Sequence, residues 1–486
     1  MRDVGDRVTR RRLSGAGAWL ALVAVATCAR NPVTGQRELS LVSQSQEIAM
    51  GRDAAKEAAA SMGVVQDTAL QAYVTSLGMP LARASERPTL PWSFTVLDDP
   101  AVNAFALPGG PVFVTRGILT HMNSEAQLVS VLGHEIGHIT AKHSVAQISR
   151  AQIAQIGISA AVVVKPGLAR FGDLASEGLG LVFLKFGRDD ETQADGLGFR
   201  YMTAAGYNPG EMAEMFRTLG RLSAGGGGHV PGWLSTHPDP GNRVQKTRDR
   251  IAATPALAAN LKVEREAFVR HTDGLTFGED PRQGFFRGTS FLHPDMKFQL
   301  DFPGGWKTQN QMTRVAGVSP QEDALVVVSV VANATPPMAI RQFFAQQGIA
   351  NRGSFSSAAV NGLPAEVASF TATTQDATLA GWVVFANLDG TTLRLLAYTT
   401  SDKVNTYDAA LRQSVMSFRR LTEPAALAVR PARVRLVRTT SAMTIEEFDR
   451  TNPSTIPVAQ LALINGVELA AVIPAGTLVK RVVVDR

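Results

Sequence analysis

The sequence predicts an α+β protein built from a mainly helical module, a strand-rich α+β module and a small βααβ module. A capped, amphipathic helical pattern around residues 124–139 indicates the first. Short runs of β-branched residues within residues 285–422 indicate the second. A strand–helix–helix–strand order over residues 430–486 indicates the third. The length of 486 residues is enough for roughly two to four domains, which agrees with this division.

The helix predicted around residues 124–139 carries the most specific pattern of the chain. Ser124 is its expected N-cap, and Gln127 completes a capping box. An apolar stripe recurs along it at Leu128, Leu132, Ile136 and Ile139. On the opposite side lie His134 and His138, the two histidines of an HExxH motif. Histidines four residues apart project from one helical face, so we expect both to bind one metal ion beside a cleft.

Glu135 follows the first histidine of the motif and lies about a third of a turn away from it. A carboxylate at that position suits a general base in the metal-assisted hydrolysis of peptide bonds. The pattern therefore predicts a zinc-dependent hydrolase in which Glu135 is catalytic. A chance HExxH sequence in an ordinary helix is the alternative.

A third ligand is expected, because catalytic zinc is held by three protein groups. Glu191 is the best candidate, in the first turn of a second helix predicted from residue 191 to about residue 205 and capped by Asp190. Asp195 lies one turn further on the same face, where it can accept a hydrogen bond from the free imidazole N–H of a ligand histidine. An acidic first turn that only complements the helix dipole explains this spacing equally well.

Further segments accompany these two helices and carry a family resemblance. They are residues 31–35 (NPVTG), 103–110 (NAFALPGG), 112–117 (VFVTRG) and 235–238 (STHP), the last followed by Arg243. Together they make residues 28–250 resemble the HtpX/BepA-type zinc metallopeptidases, which are gluzincins with an HExxH motif. The resemblance implies a zincin-type metallopeptidase domain over residues 29–270 with one Zn²⁺ per chain. Its implied metal ligands are His134, His138 and Glu191.

The resemblance also implies roles for two further elements. In such relatives the histidine before a proline can reach the metal as a fourth ligand and shut the site, which makes His237 a candidate fourth ligand or latch. A histidine that only holds the turn before Pro238 is the alternative. Asn103, Ala104 and Phe105 are expected at a strand edge, where main-chain pairing binds the substrate. An ordinary core strand is compatible with the same pattern.

The N-terminus predicts a lipoprotein signal peptide over residues 1–28. Five arginines precede an apolar run over residues 16–26, which is too short to span a bilayer. The run ends in an approximate lipobox at Cys28, the only cysteine of the chain. We expect Cys28 to be acylated and to anchor the protein on the periplasmic side of the outer membrane. An incidental cysteine near a cleavage site is the alternative.

The remaining modules offer no catalytic pattern. We expect residues 285–422 to form an accessory α+β domain with a binding or positioning role. Residues 430–486 resemble a divergent LysM module, which favours peptidoglycan as a partner, although a degenerate packing domain explains them equally well. The net charge of +6 includes five arginines of the predicted signal, and no basic cluster with interleaved aromatics occurs, so nucleic acid is not an expected partner.

The sequence as a whole predicts a zinc-dependent endopeptidase of the bacterial cell envelope. Its expected substrates are unfolded or misassembled envelope proteins. The alternative is a latent or chaperone-like lipoprotein in which the metal site is mainly structural or is shut by His237.

Overall fold

The computed structural model describes residues 28–158, 185–224, 233, 236–237, 240–254, 260–353, 356–373 and 377–485. The rest of the predicted signal peptide, residues 1–27, lies outside these ranges. Helices and strands both contribute throughout, which confirms the predicted mixture of α and β structure. No helix in the described ranges is both long and apolar enough to traverse a bilayer.

The first module is mainly helical. Its helices are α1 (Gln44–Met62), α2 (Thr68–Ala84), α3 (Arg116–His121), α4 (Glu125–Thr140), α5 (His143–Ile158), α6 (Arg188–Ala204), α7 (Gly210–Ala224), α8 (Pro240–Ala252) and α9 (Arg265–Arg270). Its strands are β1 (Cys28–Arg30), β2 (Arg37–Leu39), β3 (Ser93–Leu97), β4 (Ala104–Ala106) and β5 (Pro111–Thr115). Strands β1 and β2 form an antiparallel pair that places Cys28 opposite Leu39. In the other sheet β5 lies between a parallel β3 and an antiparallel β4, so β4 is an edge strand.

Helix α4 lies at the centre of this module, and all its residues from Ala126 to Thr140 are buried. The hydroxyl of Ser124 accepts the N–H of Gln127 at the N-terminus, as predicted. The side chain of Gln127 accepts the N–H of Asn123 instead of the N–H of Ser124, so the reciprocal half of the capping box is shifted by one residue. Because α4 is buried on all sides, its apolar stripe alone does not describe its environment.

The close approach of α4 and α6 depends on glycine. A Cβ on Gly198 of α6 would lie 2.9 Å from the backbone nitrogen of His134, and one on Gly133 would lie 3.2 Å from the Cα of Gly198. A Cβ on Gly137 would lie 3.1 Å from the carbonyl oxygen of Ala194. Such distances are too short for a comfortable side-chain contact, so the absence of side chains lets the two backbones pack directly against each other.

Two buried side chains hold the C-terminal end of α4. Asn31 donates its amide to the carbonyl oxygen of Ala141 at 3.1 Å. Arg87 donates to the carbonyl oxygen of Ile139 at 3.0 Å and pairs with Glu47 through two hydrogen bonds of 2.7 and 2.8 Å. These contacts satisfy carbonyl groups that a helix end leaves without an intrahelical partner. The N-terminal segment and α1 therefore fix the position of α4.

Helix α6 begins at Arg188, three residues earlier than predicted, and its N-cap is Gly187 rather than Asp190. The carboxylate of Asp190 accepts the N–H of Gly187 at 3.2 Å, so it acts from the third helical position. Because an aspartate can satisfy the first N–H groups from inside the first turn, its position did not mark the start of the helix.

The second module is a strongly curved antiparallel structure. Its strands are β6 (Phe285–Arg287), β7 (Ser290–His293), β8 (Phe298–Asp301), β9 (Lys307–Gln311), β10 (Arg314–Val318), β11 (Ala324–Val331), β12 (Ile349–Asn351), β13 (Ser356–Val360), β14 (Leu363–Thr373), β15 (Thr378–Leu388), β16 (Thr391–Thr400) and β17 (Arg419–Arg420). Its helices are α10 (Pro336–Phe344), α11 (Val404–Met416) and α12 (Pro424–Leu427). The large sheet runs β12-β14-β15-β16-β11-β10-β9 with β13 paired to β14, and the small one runs β17-β8-β7-β6.

The third module has the predicted βααβ order. Its elements are β18 (Ala432–Arg438), β19 (Met443–Thr444), α13 (Ile445–Thr451), α14 (Val458–Ile464), β20 (Val472–Ile473) and β21 (Leu478–Val484). Strands β18 and β21 pair antiparallel, and both helices pack on them around Phe448 and Leu461.

A buried lysine joins the third module to the first. The ammonium of Lys480 donates to the carbonyl oxygens of Thr120 and Met122 at 3.0 and 2.7 Å, and its side chain is fully buried. Those carbonyls end α3, immediately before the N-cap of α4. The third module therefore contacts the chain directly ahead of the helix that carries the HExxH motif.

Burial lowers the pKa of Lys480 well below its ordinary value. The folded protein then binds fewer protons than the unfolded chain at pH values between that pKa and about 10.4. We expect the unfolding free energy of the wild type, relative to Lys480→Met, to rise as the pH is raised through this window. At about pH 10 the lost hydrogen bonds should cost the variant about 1–3 kcal/mol.

Denaturant unfolding at several pH values measures this difference. Arg450→Met is the matched control, because that side chain is 75% exposed on the same module. A difference between wild type and Lys480→Met that does not change with pH would contradict the assignment.

Candidate metal centre

Four buried side chains bring their ligand atoms together between α4, α6 and the segment around residue 237. They are His134, His138, Glu191 and His237, and their ligand atoms all lie within 4.8 Å of one another. The Nε2 atom of His134 lies 3.0 Å from that of His138 and 3.6 Å from Oε2 of Glu191. The Nε2 atom of His138 lies 3.4 Å from Oε1 of Glu191. The structure thus unites the three predicted ligands with the predicted fourth.

The separations and the donor set fit zinc. Tetrahedral bonds of about 2.0–2.2 Å separate ligand atoms by about 3.2–3.6 Å, which is close to the distances between His134, His138 and Glu191. Oε2 of Glu191 is buried and has no hydrogen-bond partner in the described part of the chain. Burial alone would raise the pKa of Glu191, but the surrounding imidazoles, His237 foremost, lower it below its ordinary value. An ionised carboxylate beside converging imidazole nitrogens is a suitable cation site.

The ring of His134 is oriented by Asp195, as the sequence predicts for one of the two histidines. Nδ1 of His134 lies 3.0 Å from Oδ1 of Asp195. Burial raises the pKa of Asp195. Arg243 and His134 lower the same pKa by a larger amount, so it lies below its ordinary value. The ionised Asp195 can therefore accept the Nδ1 proton, which leaves Nε2 of His134 with its lone pair towards the cluster.

Arg243 is a functional residue that the sequence marked only as part of a shared segment. Its guanidinium donates to both oxygens of Asp195 at 2.8 and 2.6 Å. A third nitrogen lies 3.2 Å from Oε2 of Glu191, without hydrogen-bond alignment. The guanidinium stacks over the rings of Phe216 and Trp233 at 4.1 and 4.4 Å. It thereby compensates two buried carboxylates, which no spacing in the sequence could indicate.

The ring of His138 has a different partner. Its Nδ1 lies 2.9 Å from Nδ1 of His143, the first residue of α5. Nε2 of His143 lies 2.9 Å from the amide oxygen of Gln193. Burial lowers the pKa of His143 to about 4. The sequence did not reveal this contact between His143 and His138.

Glu135 lies beside the cluster and is fully buried. The indole N–H of Trp233 donates to its Oε1 at 3.3 Å, and its Oε2 has no hydrogen-bond partner among the described residues. Burial raises the pKa of Glu135 to about 7. A carboxylate with that pKa can take up and release a proton near neutral pH.

The cluster is buried instead of facing the expected open cleft, and among the described residues His237 and Trp233 pack against it. Nδ1 of His237 lies 2.8 Å from Oε1 of Glu191, and its Nε2 lies 3.6 Å from Oε1 of Glu135. Trp233 stacks on this imidazole with ring centres 4.8 Å apart. His237 therefore lies between the ligand cluster and Glu135, where the reacting groups of a hydrolysis would meet. The helical wheel could show which side His134 faces, but not that a distant segment covers it.

The predicted substrate-binding residues lie at the edge strand β4. Ala104 and Phe105 belong to β4, and Asn103 precedes it with an amide oxygen that is buried and unpaired in the described ranges. The ring of Phe105 stacks on Phe113 in the core, and all three residues of β4 are buried. Next to the strand, the backbone N–H of Trp233 donates to the carbonyl oxygen of residue 102 at 3.1 Å.

Replacing Arg243 by alanine should destabilise the metal-free protein by about 3–5 kcal/mol, because Asp195 and Glu191 then remain buried without their cation. Urea unfolding of the chelator-treated protein measures this loss. Arg248→Ala is the control, since Arg248 is exposed on the same helix α8. A loss below about 1 kcal/mol would contradict the role given to Arg243.

Comparison with known proteins agrees with this geometry. The model of peptidase family M48 matches residues 68–251. The mitochondrial metalloendopeptidase OMA1 of Arabidopsis thaliana is 33% identical over 188 residues, which cover 38% of this chain and 36% of the relative. The beta-barrel assembly-enhancing protease of Escherichia coli K12 is 28% identical over 232 residues, which cover 45% of this chain and 46% of the relative. The chain thus spans less than half the length of these two curated relatives.

Solved structures resemble the chain only weakly. A cyanobacterial PsbP from Synechocystis has a TM-score of 0.24 and 12% identity, and covers 28% of this chain and 94% of its own. The LpqN protein of Mycobacterium tuberculosis has a TM-score of 0.21 and 15% identity, and covers 26% of this chain and 83% of its own. Scores this low support no conclusion. The family match, in contrast, includes both helices that carry the ligand cluster and Arg243. Residues 68–251 are therefore similar to peptidase family M48.

Proposed function

We propose that this protein is a zinc-dependent endopeptidase of the bacterial cell envelope. The observation that carries the proposal is the convergence of His134, His138 and Glu191 with a buried glutamate, Glu135, directly beside them. The two metalloprotease relatives support the same class of reaction.

The chemistry follows from this arrangement. A zinc ion held by the three ligands would polarise the scissile carbonyl and lower the pKa of the attacking water. Glu135 is the general base: it accepts a proton from that water and passes it to the leaving amine. Its raised pKa, about 7, favours both transfers near neutral pH. The indole N–H of Trp233 holds the carboxylate in place through Oε1.

The proposed substrates are unfolded or misassembled envelope proteins. An extended polypeptide would pair its backbone with the edge strand β4 near Asn103, Ala104 and Phe105, which requires little side-chain specificity. The amide oxygen of Asn103 is buried and has no partner among the described residues. We propose that it accepts a hydrogen bond from the bound substrate. The name of the Escherichia coli relative, a beta-barrel assembly-enhancing protease, supports an envelope setting.

The location proposed is the periplasmic face of the outer membrane, with an acyl anchor on Cys28. The single cysteine at the end of an apolar N-terminal run supports this anchor. The third module is proposed as LysM-like, with peptidoglycan as its partner. The βααβ order of its elements supports that comparison.

A latent enzyme is the second candidate, and one observation favours it. His237 contacts Glu191 and Glu135 at the same time. The backbone N–H of Trp233 donates to the carbonyl oxygen of residue 102, ahead of the edge strand β4. Both the reacting position and the entrance to the strand are therefore taken by the chain itself. We propose that His237 acts as a latch, as a fourth ligand that must leave before a substrate enters.

Glu135→Gln should reduce cleavage of casein at least about 100-fold while zinc binding is retained, because the variant loses only the base. Casein cleavage and zinc content measured on the same preparation test this. Glu446→Gln, at an exposed position of the third module, is the control. Retained cleavage in Glu135→Gln would refute the peptidase mechanism, and suppression of aggregation without cleavage would favour a chaperone-like protein.

His237→Ala should increase the rate of casein cleavage several-fold, because the reacting position becomes accessible while three ligands remain. Initial rates at matched zinc content measure the effect. An unchanged or lower rate would argue against the latch and for a histidine that holds the turn.

A further inference from the structure

The two ligand histidines of α4 are held by chemically different partners. The N–H of His134 faces the carboxylate of Asp195, whose charge is compensated by Arg243. His138 faces no carboxylate on that side: its Nδ1 atom is 2.9 Å from Nδ1 of His143. The two rings meet edge to face, with centres 4.9 Å apart and planes inclined by 75°.

The position of His143 depends on a turn that follows α4. Lys142 adopts a left-handed backbone conformation with φ of 60°, and α5 begins at the next residue. The turn brings a residue five positions after His138 back onto its ring, which a continuous helix would not do. His143 is buried, with 5% of its surface exposed.

The polarity of the contacts follows from the direction of the ligand atom. A metal at the cluster would be bound through the lone pair of Nε2 of His138, which faces the cluster, so the proton of that ring is then on Nδ1. That proton is donated to Nδ1 of His143, which accepts. The proton of His143 is then on Nε2, which donates to the amide oxygen of Gln193 at 2.9 Å. Each N–H group in this series of hydrogen bonds therefore donates to an acceptor.

Gln193 completes a link between the two ligand-bearing helices. It lies on α6, two residues after Glu191, while His138 lies on α4. The carboxylate of Asp190, 3.8 Å from Nε2 of His143, is the charged group next to this chain. These hydrogen bonds therefore connect His138 on α4 with α6, the helix that carries Glu191.

We propose that His143 and Gln193 form a positioning pair that fixes the tautomer and ring orientation of His138 for metal binding. The inference rests on the proposed metal centre and adds to it the residues that keep one ligand ready. His143 is not a ligand in this arrangement, because it contacts the side of the His138 ring that points away from the cluster.

Zinc affinity, measured by competition with a chromophoric chelator, tests the pair on the full chain. Leucine in place of His143 removes the acceptor at similar size, and we expect the zinc dissociation constant to rise about 10–100-fold. Asparagine can present an amide oxygen near the position of Nδ1, so His143→Asn should recover most of the affinity. Visible absorption of the Co²⁺-substituted proteins should change for the leucine variant and resemble the wild type for asparagine.

A double-variant cycle separates positioning from general loss of structure. Gln193→Leu alone should weaken zinc binding less than His143→Leu, and the double variant should be no weaker than His143→Leu, because Gln193 acts through His143. Gln193 lies at the partly exposed side of α6, so its variant tests the pair even where His143→Leu fails to fold. Gln245→Leu, at an exposed site of α8, is the matched control.

The outcomes distinguish the pair from the metal centre. Equal zinc affinity for wild type, His143→Leu and Gln193→Leu would overturn the positioning pair and leave the metal centre intact. Fully additive losses in the double variant would also overturn it, since they indicate independent structural effects. A wild type that binds no zinc would overturn both the centre and the pair.

Discussion

Direct backbone packing between α4 and α6 is the constraint on which the rest of the structure depends. Glycines at positions 133, 137 and 198 remove the side chains that would separate the two helices. Because the helices lie so close, the side chains of His134, His138 and Glu191 converge where they could hold one metal ion. A single β-carbon at Gly198 would push against the backbone of His134 itself, and would move a ligand rather than a neighbour.

This packing brings charged side chains together in a buried volume, and the surrounding groups stabilise these side chains in two ways. Arg243 compensates Asp195 and Glu191 with a guanidinium that also packs against the rings of Phe216 and Trp233. The other histidine, His138, has a neutral hydrogen-bond partner in His143. The cluster is therefore supported by an ionic partner on one histidine and a neutral one on the other, and both partners come from outside α4 and its motif.

Contacts from distant parts of the chain hold the same helix at its two ends. Asn31 and Arg87 occupy carbonyls at the C-terminal end of α4, and Lys480 occupies carbonyls just ahead of its N-cap. The residue-31 segment follows the predicted lipid anchor, and Lys480 belongs to the third module. The position of the helix that carries His134 and His138 thus depends on contacts from segments near both ends of the described part of the chain.

Local pattern in the sequence predicted the helix around the HExxH motif, its N-cap, the second acidic helix and the strand-rich character of the second module, because periodicity and capping are properties of neighbouring residues. The helix pattern and the family resemblance both indicated Glu191, and the resemblance alone supplied His237 as a candidate. Only the tertiary structure decided that Arg243 pairs with Asp195, that His143 returns to His138, and that His237 contacts Glu191. Those contacts join residues far apart in the chain or across a left-handed turn, and no spacing rule encodes them. The start of α6 was misplaced for the opposite reason, because Asp190 caps the helix from within its first turn.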